Sequence, residues 1–173
     1  MKAVIRGVDA LVIWVERVLA VALLAGISLN FVNVIGRYVF GYALNGADEI
    51  EIYILIWIAF LGAAAVTWRG LHLRMDVLVN AFPAPLRFVV WLFETAVFLA
   101  VAGFVAWQSF KYVERIHALG AVSDIAHIPT WIPHSAIAVS FSLIVLIVLL
   151  RTTQRLLLPA VPRQSIPEGG PKP

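Results

Sequence analysis

Apolar positions along this chain gather into four long runs, each closed off by charged or turn-forming residues. They cover about residues 18–35, 50–67, 86–110 and 132–150. Each is close to or above the roughly 20 residues that a helix needs to cross about 30 Å of hydrocarbon. In lipid a helix satisfies its own backbone polar groups, so the pattern predicts an all-α integral membrane protein with four transmembrane helices. The third run is longer than a bilayer requires and predicts a helix that tilts or projects. Ahead of the first run, residues 1–17 place Val4, Val8, Leu11, Val12 and Val15 on one helical side. Lys2, Arg6, Asp9, Glu16 and Arg17 fall largely off that side. This predicts an amphipathic N-terminal helix in the membrane interface, leading into the first span. A signal peptide fits less well, because basic residues continue to Arg17 and no small-residue cleavage site follows. Residues 1–155 read as one four-helix membrane domain. Residues 156–173, rich in Pro and Gly from Pro159, read as a disordered cytoplasmic tail.

Composition strengthens this picture. Hydrophobic residues make up 62% of the 173 and charged ones 13%, against about 25% charged in soluble domains. No cysteine is present, which removes disulfides, thiolate metal sites and a Cys nucleophile. The net charge of +3 is explained by where the basic residues stand rather than by a nucleic-acid partner. Ten of the 13 lie at the amino end, in the 68–85 connection and its edge, or in the tail; only Arg37, Lys111 and Arg115 lie on the other side. Basic residues concentrate on the cytoplasmic face, so both termini are expected there.

The chain is centred on residues 46–79. An acidic cluster, Asp48, Glu49 and Glu51, opens the second span, and Arg69, His72, Arg74 and Asp76 follow it. Glu49, Tyr53, Ile56, Trp57, Phe60 and Ala64 share one helical side, while Ala59 and Ala63 with Gly62 offer a small-xxx-small surface for close helix approach. Asp48 and Glu49 also suit the positive end of the helix dipole. Residues 68–85 form an amphipathic cytoplasmic connection ending at Pro83 and Pro85. Arg37, beside Tyr38 and Phe40, fits an interfacial anchor or a salt bridge to Asp48 or Glu49 across the 41–46 loop. Ser28, Asn30 and Asn33 fit interhelical hydrogen bonding better than an ion site, which needs a denser set of oxygens.

Glu94 is the one ionisable group well inside a span. Such a carboxylate is a functional candidate, and pairing with Arg17 or Arg69 is the structural alternative. The 111–131 segment, expected as the second outer loop, holds Lys111, Glu114, Arg115, His117, Asp124 and His127 without a recognisable metal-ligand spacing. No nucleophile–base pair or phosphate-cradling loop appears, so neither catalysis nor a cofactor is expected. A haem-bearing membrane anchor of a redox complex is the rival four-helix reading. It needs histidines inside spans, whereas His72, His117 and His127 stand in connections and His134 at a span's edge. A self-sufficient carrier would show broken helices or buried polar groups near the midplane. The residues by themselves point to an accessory subunit of a membrane complex.

Four motifs in order resemble the DctQ-type small membrane subunit of TRAP (tripartite ATP-independent periplasmic) transporters. They are NVIGRYVF at 33–40, ADEIEIYILIWIAFLGAA at 47–64, HLRMD at 72–76 and the IPTWIP lead-in to the fourth span. Arg37, Tyr38, Asp48, Glu49, Trp57, Gly62, His72, Arg74, Asp76, Pro129 and Trp131 fall within them, as interface or structural positions. The resemblance covers about residues 10–150. It implies a bacterial inner-membrane scaffold subunit paired with a large permease subunit and working with a periplasmic solute-binding protein. It also implies a sodium-driven importer of organic anions such as dicarboxylates or sugar acids, whose substrate and sodium sites lie in the larger partner. Membrane lipid is the remaining expected partner.

Overall fold

The structure, a computed structural model, describes residues 2–69 and 83–157. The described residues form four helices: α1 (Lys2–Val39), α2 (Ala47–Arg69), α3 (Ala84–Leu119) and α4 (Trp131–Leu157). All four are long and apolar enough to cross a membrane. His72, Arg74 and Asp76, and the tail beyond Leu157, lie outside the described residues.

Two boundaries differ from those read off hydropathy. α1 runs through residues 17 and 18 as one continuous helix of 38 residues. α3 continues past residue 110 to Leu119, so Lys111, Glu114, Arg115 and His117 stand on helix and the second loop shrinks to residues 120–130. The physical reason is the same in both places. Loss of hydrophobicity marks where a helix leaves lipid, whereas ending it takes a chain breaker. In α3 that breaker is Gly120, which adopts a left-handed conformation (φ 61°), and its N–H bonds to the His117 carbonyl. The other end begins at Pro83, in extended conformation, with Pro inside the first turn where no backbone donor is needed.

The helices form a single row, α1–α2–α4–α3. α1 packs on α2, α2 on α4 and α4 on α3, and among the described residues no other pair of helices comes into backbone contact. α1 and α2 are antiparallel, and so are α4 and α3. α2 and α4 run parallel, so α3 begins on the far side of α4 from the end of α2. α4 is the middle of the packing: a third of its apolar window is buried, against 17% or less for each of the other three. Its contact face is made of small groups, Pro133, Ala136, Ala138 and Ser140, all less than 2% exposed. Lipid tails are as apolar as side chains, so helices in a bilayer associate by close van der Waals packing, which small residues permit. Ala64, Ala65 and Trp68 of α2, Ala102 of α3, and Ile144 and Ile147 of α4 form the core cluster with Val12 of α1. Phe60 and Phe141 meet across α2–α4 at 6.3 Å.

On α2 the side carrying Glu49, Tyr53, Ile56, Trp57, Phe60 and Ala64 is the half-buried to buried one. Ile52, Leu55, Ala59, Ala63 and Val66 are exposed, and a Cβ at Gly62 would meet nothing within 4 Å. The small-residue surface therefore faces away from the chain's own helices.

Candidate functional site

Polar side chains concentrate at the two ends of the row, where they clasp neighbouring helices. One end carries the 40–46 and 120–130 loops, here the loop end. The other is the termini end.

The loop-end clasp is built on Asn33, which is 3% exposed. Its Nδ2 donates to Asp48 Oδ1 at 3.1 Å, and its Oδ1 accepts the Leu44 N–H at 2.9 Å. One side chain thus joins α1, the loop and the first turn of α2. Two turns of sequence pattern support it. One turn deeper, Asn30 Nδ2 donates to Glu51 Oε2 at 2.7 Å. One turn outward, Arg37 approaches Asp48 Oδ2 at 3.5 Å, with both side chains at least half exposed. Gly36 accepts the Tyr42 N–H at 2.9 Å, and a Cβ there would lie 2.7 Å from the Tyr42 carbonyl oxygen, so the loop can fold back onto α1 only over glycine.

Glu49 has a different partner. The N–H groups of Ala126 and Ile125 donate to its two carboxylate oxygens at 2.8 and 3.2 Å, fastening the second loop onto the start of α2. Gly46 makes room for this: its φ is +82°, and a Cβ would sit 2.8 Å from Ala126 Cβ. The second loop is itself tightly built. Val122 and Pro129 form an antiparallel bridge. Ser123 accepts the Ile128 N–H through Oγ, and Thr130 donates from both backbone and hydroxyl to the Ala121 carbonyl. Trp131 meets the His117 ring edge-on at 5.6 Å. Tyr38 is 80% exposed.

The termini-end clasp is built on Trp68, which is 6% exposed. Its indole N–H donates to Asp9 Oδ1 at 2.7 Å, and its carbonyl accepts from Arg151 of α4. The neighbouring Arg69 forms a two-pronged pair with Glu16 of α1. Arg151 lies over the Trp68 ring, and Arg155, one turn on, lies over Trp91 of α3 at 4.3 Å. α4 thus reaches α2 with one arginine and α3 with the next, so the clasp engages all four helices.

The structure therefore brings Arg37 and Asp48 together, joins Glu49 to the second loop, and seats Pro129 and Trp131 in that loop's closure. Trp57 and Gly62 lie apart from both clasps, midway along α2. Arg69, one of the two candidate partners for Glu94, is taken by Glu16. Glu94 stands one turn along α3 from Trp91, the ring that Arg155 covers. Sequence reading missed the Asp9–Trp68 and Glu16–Arg69 pairs. The available signal was a set of opposite charges and a Trp at the matching ends of two adjacent apolar runs.

Among the described residues no group of three or more His, Cys, Asp or Glu could hold a metal ion. The family model for the DctQ component of tripartite ATP-independent periplasmic transporters matches residues 26–158. The chain belongs to the DctQ family. The DctQ match includes every residue of the loop-end clasp and begins after Asp9 and Glu16, so α1's half of the termini-end clasp lies outside it.

Three curated relatives resemble the chain. The ectoine TRAP transporter small permease protein TeaB of Halomonas elongata is 26% identical over 77% of this chain and 72% of its own length. The C4-dicarboxylate TRAP transporter small permease protein DctQ of Rhodobacter capsulatus is 29% identical over 60% of this chain and 45% of its own. The isethionate TRAP transporter permease protein DctMQ of Oleidesulfovibrio alaskensis is 26% identical over 72% of this chain. The chain spans only 21% of that last relative's length. As a DctQ-family chain with four apolar helices, it is a multi-pass inner-membrane protein.

Proposed function

We propose that this subunit is a stationary scaffold for a large permease subunit, in a sodium-driven importer that receives its substrate from a periplasmic binding protein. The observation that carries this reading is the open row. The described helices, packed only on their neighbours in the row, leave many apolar side chains exposed, including Ile52, Leu55 and Val66 around the small-residue surface of α2. A partner helix laid against Ala59, Gly62 and Ala63 would meet backbone at close range. The length relation to DctMQ agrees with a small component beside a much larger one.

Organic anions are the proposed substrates, as the names of the isethionate and C4-dicarboxylate relatives support. Both termini face the cytoplasm by the distribution of basic residues. The loop end then faces the periplasm, where the braced 120–130 loop, with Val122 and Ile125 exposed, offers a surface to the binding protein. His72, Arg74 and Asp76 would fix the cytoplasmic connection.

The test is affinity purification from native membranes in mild detergent. A many-span permease at equal stoichiometry is expected. Gly62→Leu should cut its recovery about tenfold or more by holding the helices apart, while leaving this subunit's own yield unchanged. Undiminished recovery with Gly62→Leu would refute the α2 surface as the contact. Recovery with redox subunits, or with none, would refute the scaffold reading.

A further inference from the structure

A groove of about 290 Å³ opens between the loop ends of α3 and α4, lined by Gln108, Ser109, Tyr112, His134 and Ile137. It belongs to neither clasp. Its depth in the bilayer can be read from its neighbours. Lys111 lays its ammonium over the Trp107 ring at 3.8 Å, an aromatic–cation pair of the kind found at the membrane surface. At the other end of α3, Trp91 and Arg155 make the corresponding pair. At 1.5 Å per residue the rise from Trp91 is about 24 Å to Trp107 and about 31 Å to Tyr112, the thickness of the hydrocarbon core. The groove therefore lies where headgroups meet acyl chains. Phe104 and Val101, one and two turns below Gln108 on the same stretch of α3, are exposed apolar side chains along which a chain can run.

The lining carries no carboxylate and no permanent cation. Gln108, Ser109 and Tyr112 each offer a hydrogen-bond donor. His134 donates Nδ1–H to the Thr130 carbonyl at 2.7 Å, so Nε2 is the ring nitrogen that can accept a hydrogen bond. The Tyr112 and His134 rings lie 5.1 Å apart, so both side chains can meet one headgroup in the groove. A ligand matching this set bears both an acceptor-rich anion and a cationic donor, with no net charge. We propose that the groove holds the zwitterionic headgroup of a phospholipid, its phosphate oxygens on Tyr112, Ser109 and Gln108 and its ammonium at Nε2 of His134.

The experiment is native mass spectrometry of the full chain purified in detergent. The probes are dioleoyl phosphatidylethanolamine, dioleoyl phosphatidylglycerol and dioleoylglycerol, with free phosphoethanolamine as competitor. One phosphatidylethanolamine per chain should survive activation that strips the other two. Tyr112→Phe keeps the ring contact and removes only the hydroxyl, and it should lower occupancy about threefold; adding His134→Ala should lower it about tenfold. Leu24→Ala, at an exposed position on α1, should change nothing. Circular dichroism confirms that each variant keeps its helix content. Equal retention by wild type and the double variant, or equal retention of dioleoylglycerol, would overturn the proposal. Equal retention of phosphatidylglycerol would overturn the ammonium contact. Displacement by millimolar phosphoethanolamine would uphold the chemistry and assign the site to a soluble headgroup.

Discussion

Asn33 and Arg37 stand one turn apart on α1, and both reach Asp48. Their environments give them unequal weight. Asn33 is buried and also holds the Leu44 N–H. Its loss leaves a donor and an acceptor unpaired, at a cost of about 1–3 kcal/mol. Arg37 and Asp48 are half exposed or more, and such a pair contributes about 0–1 kcal/mol. Asn33→Leu should therefore lower the melting temperature in detergent well below that of Arg37→Ala. A larger loss for the arginine variant would invert the ranking. Arg37's attraction to the acidic cluster was legible in the sequence, because the partners are 11 residues apart across a short loop. The division of labour was not. Asp48 takes the cation, whereas Glu49 takes two backbone N–H groups from a loop 76 residues away, and backbone donors leave no trace in a residue pattern.

At the scale of elements, four helices follow directly from the apolar runs, but their ends do not. Residues 111–119, KYVERIHAL, are polar enough to resemble a loop and contain no breaker, so α3 carries them as further turns until Gly120. The stop signal was present in the sequence, and hydropathy overrode it. Glycines divide in the same way between those that shape the fold and those that do not. Gly46 combines a positive φ with contact to Ala126, while Gly62 has open space around it. Gly46→Ala should destabilise the isolated chain by about 1–3 kcal/mol and free the second loop, seen as faster amide exchange at Ile125 and Ala126. Gly62→Ala should leave the isolated chain's melting temperature in place. Equal effects would mean that the loop does not depend on its seat at Gly46.

At the scale of the whole molecule, the order of the row was out of reach of sequence pattern. All four runs are apolar all round, and nothing in their periodicity says that α2 neighbours α4 or that α3 lies at the edge. Burial makes the consequence testable. Ala136 of α4 is fully buried, so Ala136→Leu forces α4 from its neighbours at a cost of about 1–3 kcal/mol, read as a lower melting temperature. Leu24→Ala on α1, at 64% exposure, should have little effect. A row also differs mechanically from a bundle. Its rims are tied, by Asn33, Asp48 and Glu49 at one end and by Trp68, Arg69, Arg151 and Arg155 at the other, which fixes the spacing of neighbours within the plane. Among the described residues no further helix packs against the row to brace it. Such a plate is stiff against shear between adjacent helices and compliant to bending about their axes. Pressed from one face, it will change curvature long before it changes the order of its staves.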